Sequence, residues 1–322
     1  MVRPADTPNI RLLSKVSTLY YDHEYTQQDI ANRLEISRPK VSRLLKQAKS
    51  NGVVTITVSY PEGNYVDLES RIEEKYGLNE VIVVEVGQSG TSQNDNLIKS
   101  HLGDAAAKHL RRTVTKGDII GVTWGTTLQV MADKIGALQT DNIHIVQMLG
   151  GFGPPEAKAH AMDISRRFSQ SLNAKLTLLQ SPGIVDTPEI KDVLLTDRRV
   201  KSALNLFPKI NKAYVGIGAI CTNNVLKKEN AEISDDVQKE ITNSKAVGDI
   251  GLNFFDKNGK IVKTDFQNRF IGMTLEQLKD VKNVIGIAGG KEKFAAIKGA
   301  LIGGYIHVLI TDQKTAKRLA GD

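Results

Sequence analysis

The sequence predicts an α/β protein in two parts: an N-terminal helix-turn-helix of winged-helix type and a large α/β domain on a mostly parallel sheet. Three observations predict it. The 322 residues are enough for about two domains of ordinary size. The first sixty residues carry three short amphipathic periodicities followed by a β-branched run. Beyond them, apolar runs of strand length alternate with helical stretches, the pattern of a parallel α/β sheet.

Charge separates the two parts. The chain carries 43 Lys and Arg against 36 Asp and Glu, net +7. Residues 1–60 hold nine cations and five anions, +4, which leaves +3 for the other 262 residues. Arg33, Arg38, Lys40, Arg43, Lys46 and Lys49 fall within one stretch whose single anion is Glu35. Other classes fall away. The one cysteine, Cys221, builds neither an intrachain disulfide nor a multi-thiolate zinc site, and no stretch approaches 18 uninterrupted apolar residues. The N-terminus lacks an apolar core of signal-peptide length. A cytoplasmic location in a reducing compartment is expected, with no membrane, metal or cofactor.

Leu12, Leu13, Val16, Leu19 and Tyr20 predict a helix over 10–22. Thr26, with Asp29 three residues on, predicts a capped second helix over 27–34, buried through Ile30, Ala31 and Leu34. Glu35-Ile36 leaves room only for a tight turn. Ser37 as N-cap and Pro39 in the first turn open a third helix, 38–50, with Val41, Leu44, Leu45 and Ala48 inside. Asn51-Gly52 ends it, and Val53–Val58 predicts a strand that would form a wing. Such a unit lays its third helix in the major groove of DNA, N-terminal residues first. The candidate DNA contacts are Thr26, Gln27, Ser37, Arg38, Pro39, Lys40, Ser42, Arg43 and Lys46; Arg and Lys suit guanine edges and phosphates. A three-helix unit that docks protein is the alternative.

Tyr60-Pro61-Glu62-Gly63-Asn64 is a turn-rich junction, which divides the chain into 1–58 and 59–322. Leu68, Ile72 and Tyr76 mark a helix. Strands are predicted at Val81–Val86, Ile119–Thr123, Ile143–Leu149, Leu176–Leu179, Ala213–Ile217, Asn283–Ala288 and His307–Ile310. Helices are predicted at Leu97–Arg112, Thr127–Ile135 and Ile164–Leu172. Ligands of such sheets bind beyond the carboxyl ends of the strands. Trp124-Gly125-Thr126-Thr127 lies there, where Gly125 admits a close ligand and the helix amides and two hydroxyls suit a phosphate; a plain helix cap reads equally well. Gly150-Gly151, Gly216-Ile217-Gly218 and Gly289-Gly290-Lys291-Glu292-Lys293 follow three further strands. Four such loops argue for a phosphorylated ligand. None matches a P-loop or GxGxxG, which speaks against nucleotide hydrolysis and NAD binding.

His160 and Asp163 suit a polar wall for a sugar or a solvated helix start. Asp249 suits a ligand hydroxyl or a turn. Cys221 reads as a small core residue and Trp124 as core or pocket wall. No compact carboxylate–histidine set marks a catalytic centre, and the spacings give no metal motif.

Tyr25–Leu45, Gly121–Thr127, Val215–Gly218 and Ala288–Lys293 followed by Ala296-Ile297 resemble the SorC family of bacterial transcriptional regulators, in the family's order and over nearly the whole chain. The resemblance implies a DNA-binding domain and a Rossmann-like effector domain similar to sugar-phosphate isomerases and deaminases. It implies a dimer or tetramer, operator DNA as partner and a mostly phosphorylated sugar as effector. Its phosphate site carries over onto Gly125, Thr126, Thr127 and Lys293, its acidic sugar contact onto Asp249, and its polar residue beyond the Gly-Gly loop near His160. Leu149, before Gly150, cannot form the imine that a lysine there could make with an aldehyde sugar. The implied function is effector-controlled transcription regulation of carbohydrate or nucleoside catabolism. Two alternatives remain: an isomerase- or deaminase-like enzyme carrying a DNA-binding unit, and an architectural DNA-binding protein.

Overall fold

The computed structural model describes residues 10–56, 65–86, 93–151, 161–220 and 235–322. The chain divides into two units, Met1–Asn64 and Tyr65–Asp322.

The first unit is three helices, α1 (Ile10–Tyr21), α2 (Gln27–Arg33) and α3 (Arg38–Ser50). Leu13, Val16 and Leu19 of α1, Ile30 and Ala31 of α2, and Val41, Leu44, Leu45 and Ala48 of α3 close one apolar core. α2 starts on a reciprocal cap: Asp29 N donates to Thr26 Oγ1 and Thr26 N to Asp29 Oδ2, both at 3.2 Å. Glu35 takes the left-handed conformation (φ 53°) that turns the chain between α2 and α3. Ser37 sits at the N-cap of α3, yet its hydroxyl makes no capping bond. Pro39 has no N–H, and the Lys40 amide already donates to the Ser37 carbonyl at 2.9 Å, so no amide is left for the hydroxyl.

The strand expected over Val53–Val58 is corrected where it can be seen. Residues 53–56 form no strand, and 57–58 lie outside the described residues. Val53 and Val54 pack against the helical core instead, and the Val54 amide donates to Ala48 O at 3.1 Å, closing the end of α3. Helix termination and core burial use the groups that a wing would need.

In the second unit, α4 (Val66–Tyr76) precedes β1 (Glu80–Val84). Then follow α5 (Gln93–Thr113), β2 (Ile119–Val122), α6 (Thr126–Lys134), β3 (His144–Gln147), α7 (Ala161–Ser171) and β4 (Lys175–Thr177). Next come α8 (Pro188–Thr196), α9 (Arg198–Leu204), β5 (Lys212–Gly216), β6 (Gly218–Ala219), α10 (Asp235–Asn243), β7 (Ala246–Ile250) and β8 (Asn253–Asp256). The chain ends with α11 (Leu275–Lys279), β9 (Asn283–Ile287), α12 (Phe294–Ile302), β10 (Val308–Asp312) and α13 (Gln313–Ala320).

Seven strands form one sheet in the order β1-β10-β9-β5-β2-β3-β4, every neighbouring pair parallel. They are the seven segments that the apolar runs predict. Side chains alternate between two cores. Ile120, Tyr214, Ile285 and Ile310 face α5, α6 and α7. Val146, Val215, Val284 and Leu309 face α4, α12 and α13. A sheet covered on both faces explains why its strands are nearly continuous apolar runs.

A second sheet, β6-β7-β8, is antiparallel and was not predicted. Its β7–β8 turn passes through Gly251 (φ 56°) and Leu252 (φ 65°). Positive φ at both positions suits a tight hairpin, but leucine there is rare and gives no turn signal in sequence. Leu252 is held by full burial. Among the described residues no helix is long and apolar enough to cross a membrane.

Candidate effector site and DNA-reading surface

In the large sheet the chain leaves β2 toward β3 and β4, and leaves β5 toward β9 and β10. β2 and β5 are adjacent and parallel, so their outgoing connections diverge. This is a topological switch point, the place where open α/β sheets leave a crevice beyond their carboxyl ends.

Of the predicted effector residues, Gly125, Thr126, Thr127, Asp249 and Lys293 lie on loops and strands that border that crevice. Beyond β2, Gly125 is the N-cap of α6, at φ 132° and ψ 150°. No atom lies within 4 Å of where its Cβ would stand, so backbone conformation, not space, requires glycine. Thr126 is half-buried and Thr127 buried in the first turn. Among the described residues no side-chain cap is made at the start of α6, and no acid lies in its first turn. Its amides and positive dipole end thus face the crevice.

Beyond β9, two strand positions away or about 10 Å, Gly290 repeats the geometry with φ 101° and ψ 150°. It begins the turn Lys291–Lys293 that leads into α12; its own amide is held by Asp312 Oδ2, and glycine offers no side chain to cap the amides that follow. Half-buried Lys293 lies in this turn.

Between these loops, β5 runs into β6. Gly216 N donates to Thr123 Oγ1 at 3.4 Å. Asp249 of β7 pairs with Gly218, where any side chain would overlap its Oδ1. Asp249 is 9% exposed, and its Oδ2 accepts from Leu252 N at 3.0 Å. The small sheet therefore serves to bring one carboxylate beside the end of β5.

Other predicted residues fare differently. His160 and Cys221 lie outside the described residues. Asp163 is bound by Arg167 at 2.9 Å on the surface of α7. Trp124 packs against the cluster of Leu149, Leu252, Phe254 and Phe266. Leu149 is 1% exposed, an apolar wall at the end of β3.

Sequence reasoning missed Gln147 and Asp312, both at strand ends. Gln147 is fully buried; its Nε2 donates to Leu149 O at 2.6 Å, and its Oε1 has no hydrogen-bond partner among the described residues. A polar residue ending an apolar run is the only sequence signal for either. A separate cavity of about 820 Å³, lined by Lys191, Lys263, Asn253 and Thr264 among others, contains none of the predicted effector residues. Among the described residues no group of three His, Cys, Asp or Glu could hold a metal.

At the opposite, amino ends of the strands lies a buried polar network. Asp118 accepts from Lys212 Nζ at 2.6 Å, Thr115 N at 2.7 Å and Asn211 Nδ2 at 3.0 Å. Burial alone would raise this carboxyl, but those bonds hold it below its ordinary range. His109 is 2% exposed, with Nδ1 3.1 Å from Tyr214 Oη. Burial pushes its pKa down, and nearby Glu80 offsets this only in part. Burial also pushes the Tyr214 hydroxyl up. These groups stabilise the scaffold far from the crevice.

On the first unit, Arg38, Pro39, Lys40, Arg43 and Lys46 are exposed along α3, while Ser42 is half-buried. None of the four cations enters an ion pair among the described residues. Thr26, Gln27 and Arg38 line one concave surface with Tyr20 and Tyr25. Two cations are otherwise engaged: Lys49 lies 5.8 Å from the Tyr21 ring centre and Arg33 5.3 Å from that of Tyr25.

Comparison with known proteins agrees with this division. Residues 60–320 match the family model described as "Putative sugar-binding domain", and residues 15–50 match "Sigma-70, region 4". The deoxyribonucleoside regulator of Bacillus subtilis is 33% identical over 98% of this chain and 99% of its own. The chain belongs to the SorC family of transcriptional regulators. The sorbitol operon regulator of Klebsiella pneumoniae is 31% identical over 98% of this chain and 99% of its own. The crystal structure of full-length SorC from that organism superposes with a TM-score of 0.71 at 30% identity, covering 98% of this chain and 100% of that one. SorC-family membership gives the helix-turn-helix and the α/β unit their roles: one for DNA, one for a sugar. These relatives are named as regulators, not enzymes.

Proposed function

We propose that this regulator reads operator DNA with α3 and is controlled by a phosphorylated sugar held in the crevice between β2, β5 and β9. The observation that carries the reading is the switch point itself. Two glycine-led turns with no side-chain cap open onto it, and one carboxylate stands between them. The Thr126 and Thr127 amides and hydroxyls and the Lys293 ammonium bind the phosphate. Asp249 accepts from a sugar hydroxyl, and His160 adds a polar wall. Arg38, Lys40, Ser42, Arg43 and Lys46 face DNA, with Thr26, Gln27, Ser37 and Pro39 fixing how the helix enters the groove.

Residues 1–58 act as the reader and 59–322 as sensor and oligomerisation domain. The protein works in the cytoplasm as a dimer or tetramer, so that the effector alters the spacing of paired recognition helices on a palindromic operator. The absence of a base–acid set at the crevice, among the described residues, favours sensing over catalysis.

A thermal-shift screen against phosphorylated sugars, each beside its unphosphorylated parent, tests the proposal. A phosphate-dependent rise in melting temperature is expected in the wild-type protein and not in Lys293→Ala, which still binds operator DNA. A variant that responds at wild-type concentrations removes Lys293 from the site. Absence of any phosphate-dependent shift overturns the effector class.

A further inference from the structure

Beneath the loop after β9 lies the carboxylate of Asp312, the last residue of β10, which is 2% exposed. Its Oδ2 accepts from Gly290 N at 2.7 Å and from Thr315 Oγ1 at 2.6 Å. Its Oδ1 accepts from the amides of Lys314 and Thr315, each at 3.0 Å. One carboxylate thus ends the anion loop and caps α13. Gly289 makes this approach possible, since a Cβ there would stand 2.6 Å from Asp312 Oδ2. A second tie joins the same two elements: the Arg318 guanidinium stacks 3.8 Å from the centre of the Phe294 ring and donates to Lys291 O at 3.4 Å.

α13 is in turn bound to α4 along its length. At its start, Tyr65 Oη donates to Gln313 Oε1. At its end, Lys75 Nζ donates to Leu319 O at 2.9 Å and to Ala320 O at 3.2 Å. Arg71 grips Asp322 with both guanidinium nitrogens, at 2.5 and 2.9 Å. Leu68 and Ile72 share one apolar core with Ala316 and Leu319. α4 is also the first element of the large unit, the one from which the chain runs back to the DNA-reading helices.

We infer that Asp312 is the positioning residue that couples the Gly289–Lys293 loop to the α13–α4 helix pair. This rests on the reading that the loop takes part in holding the effector anion. An anion drawn onto the Gly290 turn shifts the amide that Asp312 holds; Asp312 shifts the first turn of α13; and α13, fastened at both ends, moves α4.

Two variants of the full chain separate coupling from simple support. In Asp312→Asn the amide oxygen still caps α13, since Asn caps as well as Asp. Its NH2 group then faces the Gly290 N–H, donor against donor, so the loop is cut and the helix kept. Gly289→Ala drives the loop and Asp312 Oδ2 apart by the steric route, with the Asp312 carboxylate chemically intact and neither helix mutated. Hydrogen exchange is measured by mass spectrometry. Both variants should speed exchange in residues 66–76 by about tenfold or more, as loss of a charge-assisted hydrogen bond implies, with residues 119–122 unchanged. Acceleration confined to 288–295 and 313–316 overturns the coupling.

A second arm uses inorganic phosphate against chloride of equal ionic strength. Phosphate should slow exchange in 288–295 and 66–76 of the wild type, but only in 288–295 of Asp312→Asn. Slowing of 66–76 in that variant also overturns the coupling. Phosphate that protects neither 123–128 nor 288–295 in the wild type overturns the anion reading instead, and the two variants alone then decide the coupling.

Discussion

Replacing Gly125 by alanine tests the crevice at its most constrained point. The residue sits at φ 132° and ψ 150°, beyond the left-handed helical region that Asn or Asp can visit, so only glycine holds it without strain. No atom lies within 4 Å of the new methyl group, so the whole effect is conformational. Holding a residue with a Cβ in such a region costs about 1–3 kcal/mol. In a domain of this size that lowers the melting temperature by roughly 2–12 °C, at about 2–4 °C per kcal/mol.

The chain has one escape, which is to rotate the Gly125 peptide and release the strain. That turns the α6 amides away from the crevice. A charge-assisted hydrogen bond is worth about 1.5–3 kcal/mol, so affinity for a sugar phosphate should then fall about tenfold to a hundredfold. Stability and affinity trade against each other, and one of them must move. Differential scanning fluorimetry gives the first and calorimetric titration with the sugar phosphate that shifts the wild type gives the second. Gly125→Asn should fare no better than Gly125→Ala, and operator affinity without effector should stay unchanged in both. A Gly125→Ala protein with wild-type melting temperature and wild-type affinity would refute the reasoning.

Two further outcomes are expected. Arg43→Ala should weaken operator binding by about 1–3 kcal/mol and relax specificity at one base position, whereas Lys46→Ala should weaken binding evenly across sequences and reduce its salt dependence; unchanged affinity in a gel-shift titration takes Arg43 off the reading surface. Stability should fall on acidification through His109: burial holds its pKa below the unfolded value, so the unfolded chain takes up the proton first and gains as pH drops from about 7 to 5. Asp118, also depressed, adds loss in the same direction at lower pH. Chemical denaturation across that range should show a shallower slope for His109→Gln; an unchanged slope excludes His109 as the titrating group.

Much of this was legible before the structure. All seven parallel strands could be read because both faces of the sheet are covered, which demands apolar residues at successive positions rather than alternate ones. The three N-terminal helices were legible from their apolar spacing, and the Thr26–Asp29 pair forms as the spacing predicts. The small antiparallel sheet was hidden because its members are two to five residues long and its hairpin is set by the burial of Leu252, a tertiary cause. Over residues 53–56 the expected strand is absent for the converse reason: a β-branched run signals a strand, but Val53 and Val54 are already required by the helical core. At the site, glycines marked the loops, yet their sequence could not show that Gly125 and Gly290 share one conformation. Asp312 gives no signal in sequence because the apolar run of β10 ends at Ile310, two residues before it.

The partition of charge follows from the different anions that each unit meets. DNA presents a long row of phosphates to a surface open to solvent, and only full charges on long side chains can reach several of them. Those cations must be exposed and unpaired, as Arg38, Lys40, Arg43 and Lys46 are among the described residues, and the resulting affinity falls steeply with salt as counterions compete. The effector we propose presents one phosphate to a crevice at strand ends. Backbone amides of two glycine-led turns, with a single ammonium beside them, can surround it at short range, where added salt screens least. A strongly basic crevice would also attract the operator's own phosphates, and the sensor would compete with the reader. Building the effector site mostly from dipoles keeps the two anions apart. It also explains why the larger unit needs so little of the chain's excess positive charge.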